Sequence, residues 1–321
     1  MEVSAQIEGV GLTWDRWKRM VPELERLGFA GIYRSDHLAS PPDGSIVIDW
    51  LELVVSLAYL ADHTQRVRFG SLVAPVSFRD PAMLARQASA LDDLSGGRMV
   101  LGVGTGWVDG EHLMFGYELG DLDTRFARLE EGLDVITRLL RSDEPVSYEG
   151  RFYRLRDALL LPRPQRPGGP PIMIGGIGPK RTLPLVARYA EVWNSTALPP
   201  TEFCERSSRL DDLMRENGRQ PWDVRRTIML PVVCGHDDAE LERQVRWLRM
   251  FPDFLTAPLE TLLDVMRTQL GAVIGTPDEV TQEMGAYAEA GVEEFMVQWF
   301  ATDDIEGLAL IAQRVLPQLP S

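Results

Sequence analysis

Cysteine is almost missing from this chain. Cys204 and Cys234 are the only two, neither sits in a Cys-x-x-Cys pair, and the four histidines His37, His63, His112 and His236 do not cluster with them. A disulfide framework and a structural zinc site are thereby excluded, no metal ligand is nominated, and a reducing, cytoplasmic setting is expected. Basic residues are also in short supply: 33 Lys and Arg face 48 Asp and Glu, a formal net charge of -15. Such a chain repels nucleic acid and anionic membrane surfaces at long range, so neither is expected as a partner, and an anionic ligand must be held by local groups. No apolar run approaches the length of a membrane span, and Met1 to Gln6 lacks the basic and apolar regions of a signal peptide. Short internal repeats and low-complexity segments are absent too.

What is present is an ordinary globular composition, 45% hydrophobic and 25% charged, over 321 residues. That length suits two average domains or one large α/β barrel. Patterning decides between them. Short apolar runs at 2–8, 29–34, 67–74, 99–103, 172–174, 191–194, 227–233 and 294–299 read as strands, and segments of helical period follow them. Helices are read at 14–27 with Gly28 as C-cap, at 50–61, from Pro81 behind an Asp80 N-cap, at 109–115, 124–140, 201–216, from Thr276 to near Gly291, and at 303–316. Eight strands alternating with helices predict one α/β domain, a (β/α)8 TIM barrel spanning 1–321. The surplus over about 250 residues fits insertions near 36–49, 145–170 and 236–275.

In such a barrel the active site is assembled where strands end, so the post-strand loops are where chemistry is sought. The run from Ser95 to Trp107 has a glycine turn, a buried strand, and then Gly102, Gly104 and Gly106. Either these glycines let a ligand approach the backbone or they relieve crowding between strand and helix. Asp36-His37 after the second strand is a candidate proton-transfer pair, against the plainer reading of a loop cap beside a polar rim residue. Gly175 to Arg181 joins a strand to a helix and carries two cations, which fits a phosphate site, or else a tight turn with a solvated basic pair. Trp107, Trp193 and Trp299 are candidate linings for a flat ring or a substrate, or plain core. Glu111 and His112 are better read as the solvated face of a short helix, and His63 and His236 as surface residues.

Ser35-Asp36-His37, Arg79-Asp80-Pro81, the stretch Leu91 to Arg98, Leu101 to Trp107, Arg125 to Glu131 and Ile174-Gly175-Gly176 occur in that order. Together they resemble the luciferase-like monooxygenase superfamily, and within it the coenzyme F420-dependent oxidoreductases. The resemblance implies a barrel with an insertion, a deazaflavin or flavin across the strand ends, a homodimer and a small-molecule substrate. It also implies that Asp36 contacts the cofactor and that His37 acts at its reacting face. A cis peptide after the third strand, placed at Ser71-Leu72, would back the ring. Ala74 stands where a cofactor-contacting threonine is common. The backbone of Thr105, Gly106, Gly176, Ile177, Gly178, Lys180 and Arg181 would hold the tail and its phosphate. Trp107 replaces an acidic residue that sugar-phosphate-oxidising relatives use, which argues against that reaction, and Val108 replaces a polar residue found in many relatives. The expectation is an F420-dependent oxidoreductase moving a hydride between the deazaflavin C5 and a small organic substrate. An FMN-dependent luciferase-like monooxygenase and a cofactor-binding protein without turnover are the alternatives.

Overall fold

The eight expected strands close on one another, all parallel. In chain order they are β1 (Glu2–Ile7), β2 (Gly31–Arg34), β3 (Arg68–Ser71), β4 (Met99–Gly104), β5 (Ile172–Gly175), β6 (Val192–Thr196), β7 (Arg225–Cys234) and β8 (Glu294–Trp299). Each pairs with the next, and β8 pairs with β1 through Glu2 opposite Glu294, which closes the barrel. This computed structural model describes residues 1–38 and 48–320. Most of the insertion expected near 36–49 therefore lies outside the described residues.

Side chains alternate across the barrel wall with the period of two that strand geometry imposes. Val100, Met173, Val192 and Met296 meet Tyr33 and Leu72 in a small cluster inside the barrel. Their chain neighbours Met99, Leu101, Ile172, Ile174, Trp193, Phe295 and Val297 belong to the large cluster between strands and helices. Both faces are buried, so the strands read as continuous apolar runs rather than as alternating ones.

Local signals set the helix ends. Trp14–Leu27 starts at Thr13, whose hydroxyl accepts from the Arg16 N–H at 3.3 Å, and stops at Gly28 in the left-handed region at φ 90°. Asp80 caps Pro81–Leu94 by accepting from Met83 N at 3.0 Å. Thr276 and Glu279 form a reciprocal capping box on Pro277–Glu289.

Three segments depart from the pattern read in the chain. The third strand is shorter than 67–74: it ends at Ser71, and after a bulge Ala74–Pro75 pairs separately with Val103 and Gly104. A cis peptide joins Leu72 and Val73, one bond later than the position expected. The 145–170 insertion holds an antiparallel pair, Val146–Glu149 and Arg154–Ala158, outside the eight strands read in the chain. The 236–275 insertion contains the unexpected strand Val273–Gly275, which pairs with the end of β7. Val245, Leu248, Leu262, Met266 and Ile274 of that insertion form a separate apolar cluster with Val233 of β7.

Candidate active site

A cavity of about 340 Å³ opens at the carboxyl ends of the strands. Its floor is the bulge after β3, where Leu72 and Val73 face the space. The bulge lies against β4, and here the glycines are required. A Cβ on Gly102 would stand 2.0 Å from the Ser71 carbonyl oxygen, and one on Gly104 would stand 2.6 Å from Val73 Cγ2. Something does approach the backbone closely at these glycines, and it is the chain's own floor. Ser71 fastens the contact: its Oγ donates to Gly102 O at 2.7 Å and accepts from Gly102 N at 3.0 Å.

Above the floor stands His37. Its Nδ1 lies 3.2 Å from both oxygens of Glu111, and Glu111 also accepts from the Leu38 backbone N–H at 2.8 Å. A carboxylate can only accept here, so the Nδ1 proton is fixed and Nε2 is left as the exchangeable nitrogen. Trp50 and Trp107 flank the imidazole edge to face, with centroids 5.1 and 5.9 Å away. Burial alone would push the His37 pKa down. The hydrogen bond and charge of Glu111, with Glu8 and Asp36 behind it, outweigh burial and hold it above the usual value.

Asp36 does not hold His37. Arg79 grips its carboxylate with two hydrogen bonds of 2.8 Å each and reaches Glu52 as well. Burial pushes the Asp36 carboxyl up, against the pull of Arg79. The partner of His37 is Glu111, and sequence reasoning placed Glu111 in solvent. The helix Asp109–Phe115 is inverted: Glu111 and His112 are buried, while Leu113 is 84% exposed with Met114 and Phe115 beside it in solvent. His112 is bonded through Nδ1 to Val108 O and through Nε2 to Ser77 Oγ, both at 2.7 Å.

Glu8 was also missed. It follows β1, is buried, and accepts from Ser35 Oγ and from Gln298 Nε2, each at 2.7 Å. Asn194, Thr196 and Gln298 line the cavity too. Strand alternation explains these residues and corrects the tryptophans. Val192 points inward, so Asn194 and Thr196 do as well, whereas Trp193 points out and stacks on Phe203 with centroids 5.3 Å apart. Met296 points inward and so does Gln298, whereas Trp299 faces the helix layer and donates to Ala301 O at 2.8 Å. Of the three tryptophans only Trp107 lines the cavity.

Leu72, Gly106 and Gly176 border the space, while Ala74 is fully buried and does not. Thr105 accepts from Arg125 at 3.3 Å, and Arg125 also donates to Gly106 O. Ile177 packs on the core, and Gly178 O receives Thr182 N and Leu183 N as the helix Thr182–Tyr189 begins. Lys180 and Arg181 stand exposed at the rim, Arg181 paired with Asp123 at 2.5 Å.

The family model described as luciferase-like monooxygenase matches residues 2–294. An F420-dependent glucose-6-phosphate dehydrogenase of Microbacterium testaceum is 31% identical over 315 residues, covering 92% of this chain and 90% of that protein. A limonene 1,2-monooxygenase of Rhodococcus erythropolis is 27% identical over 320 residues, covering 93% and 79%. Among solved structures, an F420-dependent secondary alcohol dehydrogenase in complex with an F420-acetone adduct superposes with a TM-score of 0.83 at 19% identity, covering 100% of this chain and 99% of that one.

Proposed function

The chain belongs to the luciferase-like monooxygenase family, and from that premise we propose that it is an F420-dependent oxidoreductase passing a hydride between the deazaflavin C5 and a small organic substrate. The observation that carries the reading is His37, with Nδ1 locked on buried Glu111 at the mouth of a cavity with an apolar floor. The relative named for F420 dependence, aligned over 92% of the chain, supports the choice of cofactor.

The residues present fit such a group. Leu72 and Val73 offer an apolar backing for a flat ring, and the glycine backbone at Gly106 and Gly176 borders the same space. Thr105, Ile177 and Gly178 lie in the loops that continue from it, and Lys180 and Arg181 offer positive charge at the rim for an anionic tail. When bound, the deazaflavin supplies or accepts the hydride, because redox chemistry belongs to the cofactor. The chain's part is to orient and to manage the proton. His37 Nε2 gives or takes the proton that accompanies hydride transfer at the substrate oxygen. Glu111 keeps the imidazole in one tautomer and stabilises its charged form, and Arg79 anchors Asp36 so that the loop bearing His37 keeps its place.

FMN-dependent monooxygenation is the second reading, favoured by relatives named as monooxygenases, such as the limonene enzyme. Fluorescence titration of the cofactor-free protein with F420, and separately with FMN, decides between the two. Binding of F420 alone supports the proposal. Binding of FMN alone, with oxygen uptake driven by reduced FMN, overturns it.

A further inference from the structure

We propose that the reacting end of this cavity selects an uncharged, oxygen-bearing small molecule, an alcohol or its ketone, and rejects carboxylates and phosphate esters; this rests on the oxidoreductase reading above. Among the described residues, the ionisable side chains lining the cavity are Glu8, Asp36, His37 and Glu111. Three are acids, and no lysine or arginine lines the space.

Two guanidiniums behind this wall are already committed, and a third, Arg125, donates to Thr105 Oγ1 and Gly106 O. Arg79 spends its donors on Asp36 and Glu52. Arg34 is buried and donates to the carbonyls of Ile7 and Leu51. Protonated His37 carries a charge that Glu111 meets at 3.2 Å. An anionic substrate would face carboxylates at short range, with no lysine or arginine in the lining to meet its charge. A neutral oxygen meets a different surface: His37 and the Thr196 hydroxyl for hydrogen bonding, and Leu72, Pro75 and Met229 for apolar contact, while the Asn194 amide N–H is held by Thr227 Oγ1 at 2.9 Å. The Microbacterium relative is named for a sugar phosphate, and the lining of this cavity carries no lysine or arginine for a phosphate ester.

The first test needs no cofactor. Thr196→Cys, made with Cys204→Ser, puts a thiol in the cavity, and Met229→Cys provides a second position if the first variant folds poorly. Each thiol is reacted with a cationic and an anionic methanethiosulfonate. Exposed Cys204 of the unaltered protein reports the field of the general surface, and Cys234 is buried. The cavity thiol is expected to prefer the cationic reagent by at least about 10-fold more than Cys204 does. An equal or smaller preference overturns the proposal.

The second test uses the F420-loaded protein and matched pairs, 2-butanone against pyruvate and glucose against glucose 6-phosphate, with binding read by calorimetry and turnover by F420 absorbance. The uncharged member of a pair is expected to be favoured by about 100-fold. Preference for the anionic member overturns the inference about charge. Failure of F420 to bind overturns the cofactor reading alone, since the thiol reactions still decide the charge.

Discussion

On the β1, β2 and β8 side of the cavity the charged groups are buried and partnered. Glu8 holds Ser35 and Gln298, Asp36 holds Arg79, and Glu111 holds His37 and the Leu38 backbone. On the β5 side, Lys180 and Arg181 stand in solvent at the start of a helix that has no side-chain cap. The first side is fixed before any ligand arrives, because a buried carboxylate without partners would be costly. The second is adaptable, because Lys180 and the Arg181–Asp123 pair are exposed and therefore screened by salt. Chemistry that needs a proton at one atom suits the fixed side, and capture of an anionic tail suits the adaptable one.

The comparison breaks hardest at His37. His37→Ala is expected to lower turnover with F420 by about 100-fold or more while changing F420 affinity only a few-fold. Steady-state rates and fluorescence titration read the two effects separately, and unchanged turnover would remove His37 from the chemistry.

Glu111→Gln comes next. The His37 pKa then falls back toward its ordinary value, the matching limb of the pH–rate profile moves to lower pH, and turnover drops by about 10-fold. Stability carries the same signature. His37 is raised in the folded state, so its contribution is fully present below the unfolded value of 6.5 and is lost as pH rises through the folded one. Urea melts of Glu111→Gln should therefore lag the unaltered protein more at about pH 5.5 than at about pH 9. A gap of equal size at both values would mean that Glu111 acts through packing alone.

On the adaptable side, replacing both Lys180 and Arg181 by alanine is expected to weaken F420 binding by about 10-fold at low ionic strength. The deficit should shrink in high salt, and thermal stability should stay close to the original. A salt-independent loss would mean that the pair acts through the shape of the loop.

The smallest effect sharpens the boundary of the site. Trp193→Phe removes a 2.8 Å hydrogen bond from Nε1 to Gly176 O, at a stability cost of about 1 kcal/mol. It should leave substrate KM and kcat in place, because the ring packs outside the barrel. A changed KM would mean that the Trp193 bond to Gly176 O shapes the cavity border.

Much of this arrangement is legible in the chain. Asp80-Pro81, Thr276 with Glu279, and Gly28 mark helix ends by local hydrogen-bonding rules, and the corresponding helices begin or end at those residues. The period-two rule, applied from Val192 and Met296, would also have separated Asn194, Thr196 and Gln298 from Trp193 and Trp299. The helix Asp109–Phe115 resists such reading, because its buried face is its polar one. Amphipathic reasoning assumes that acids seek water, and Glu111 finds His37 and Leu38 N instead. The bulge after β3 resists it too, since nothing local in Leu72-Val73 announces that β4 will supply glycines to receive it.

By itself the sequence determined the barrel: eight apolar runs, their helices and their caps depend on neighbours within a few residues, and such interactions are written in order along the chain. Only the tertiary structure decided which charges meet. Asp36 and Arg79 are 43 residues apart, His37 and Glu111 are 74 apart, and Glu8 and Gln298 are 290 apart. A buried carboxylate must find a donor somewhere, but its choice depends on which loops the closed barrel brings to one rim, and that geometry exists only once β8 has paired with β1.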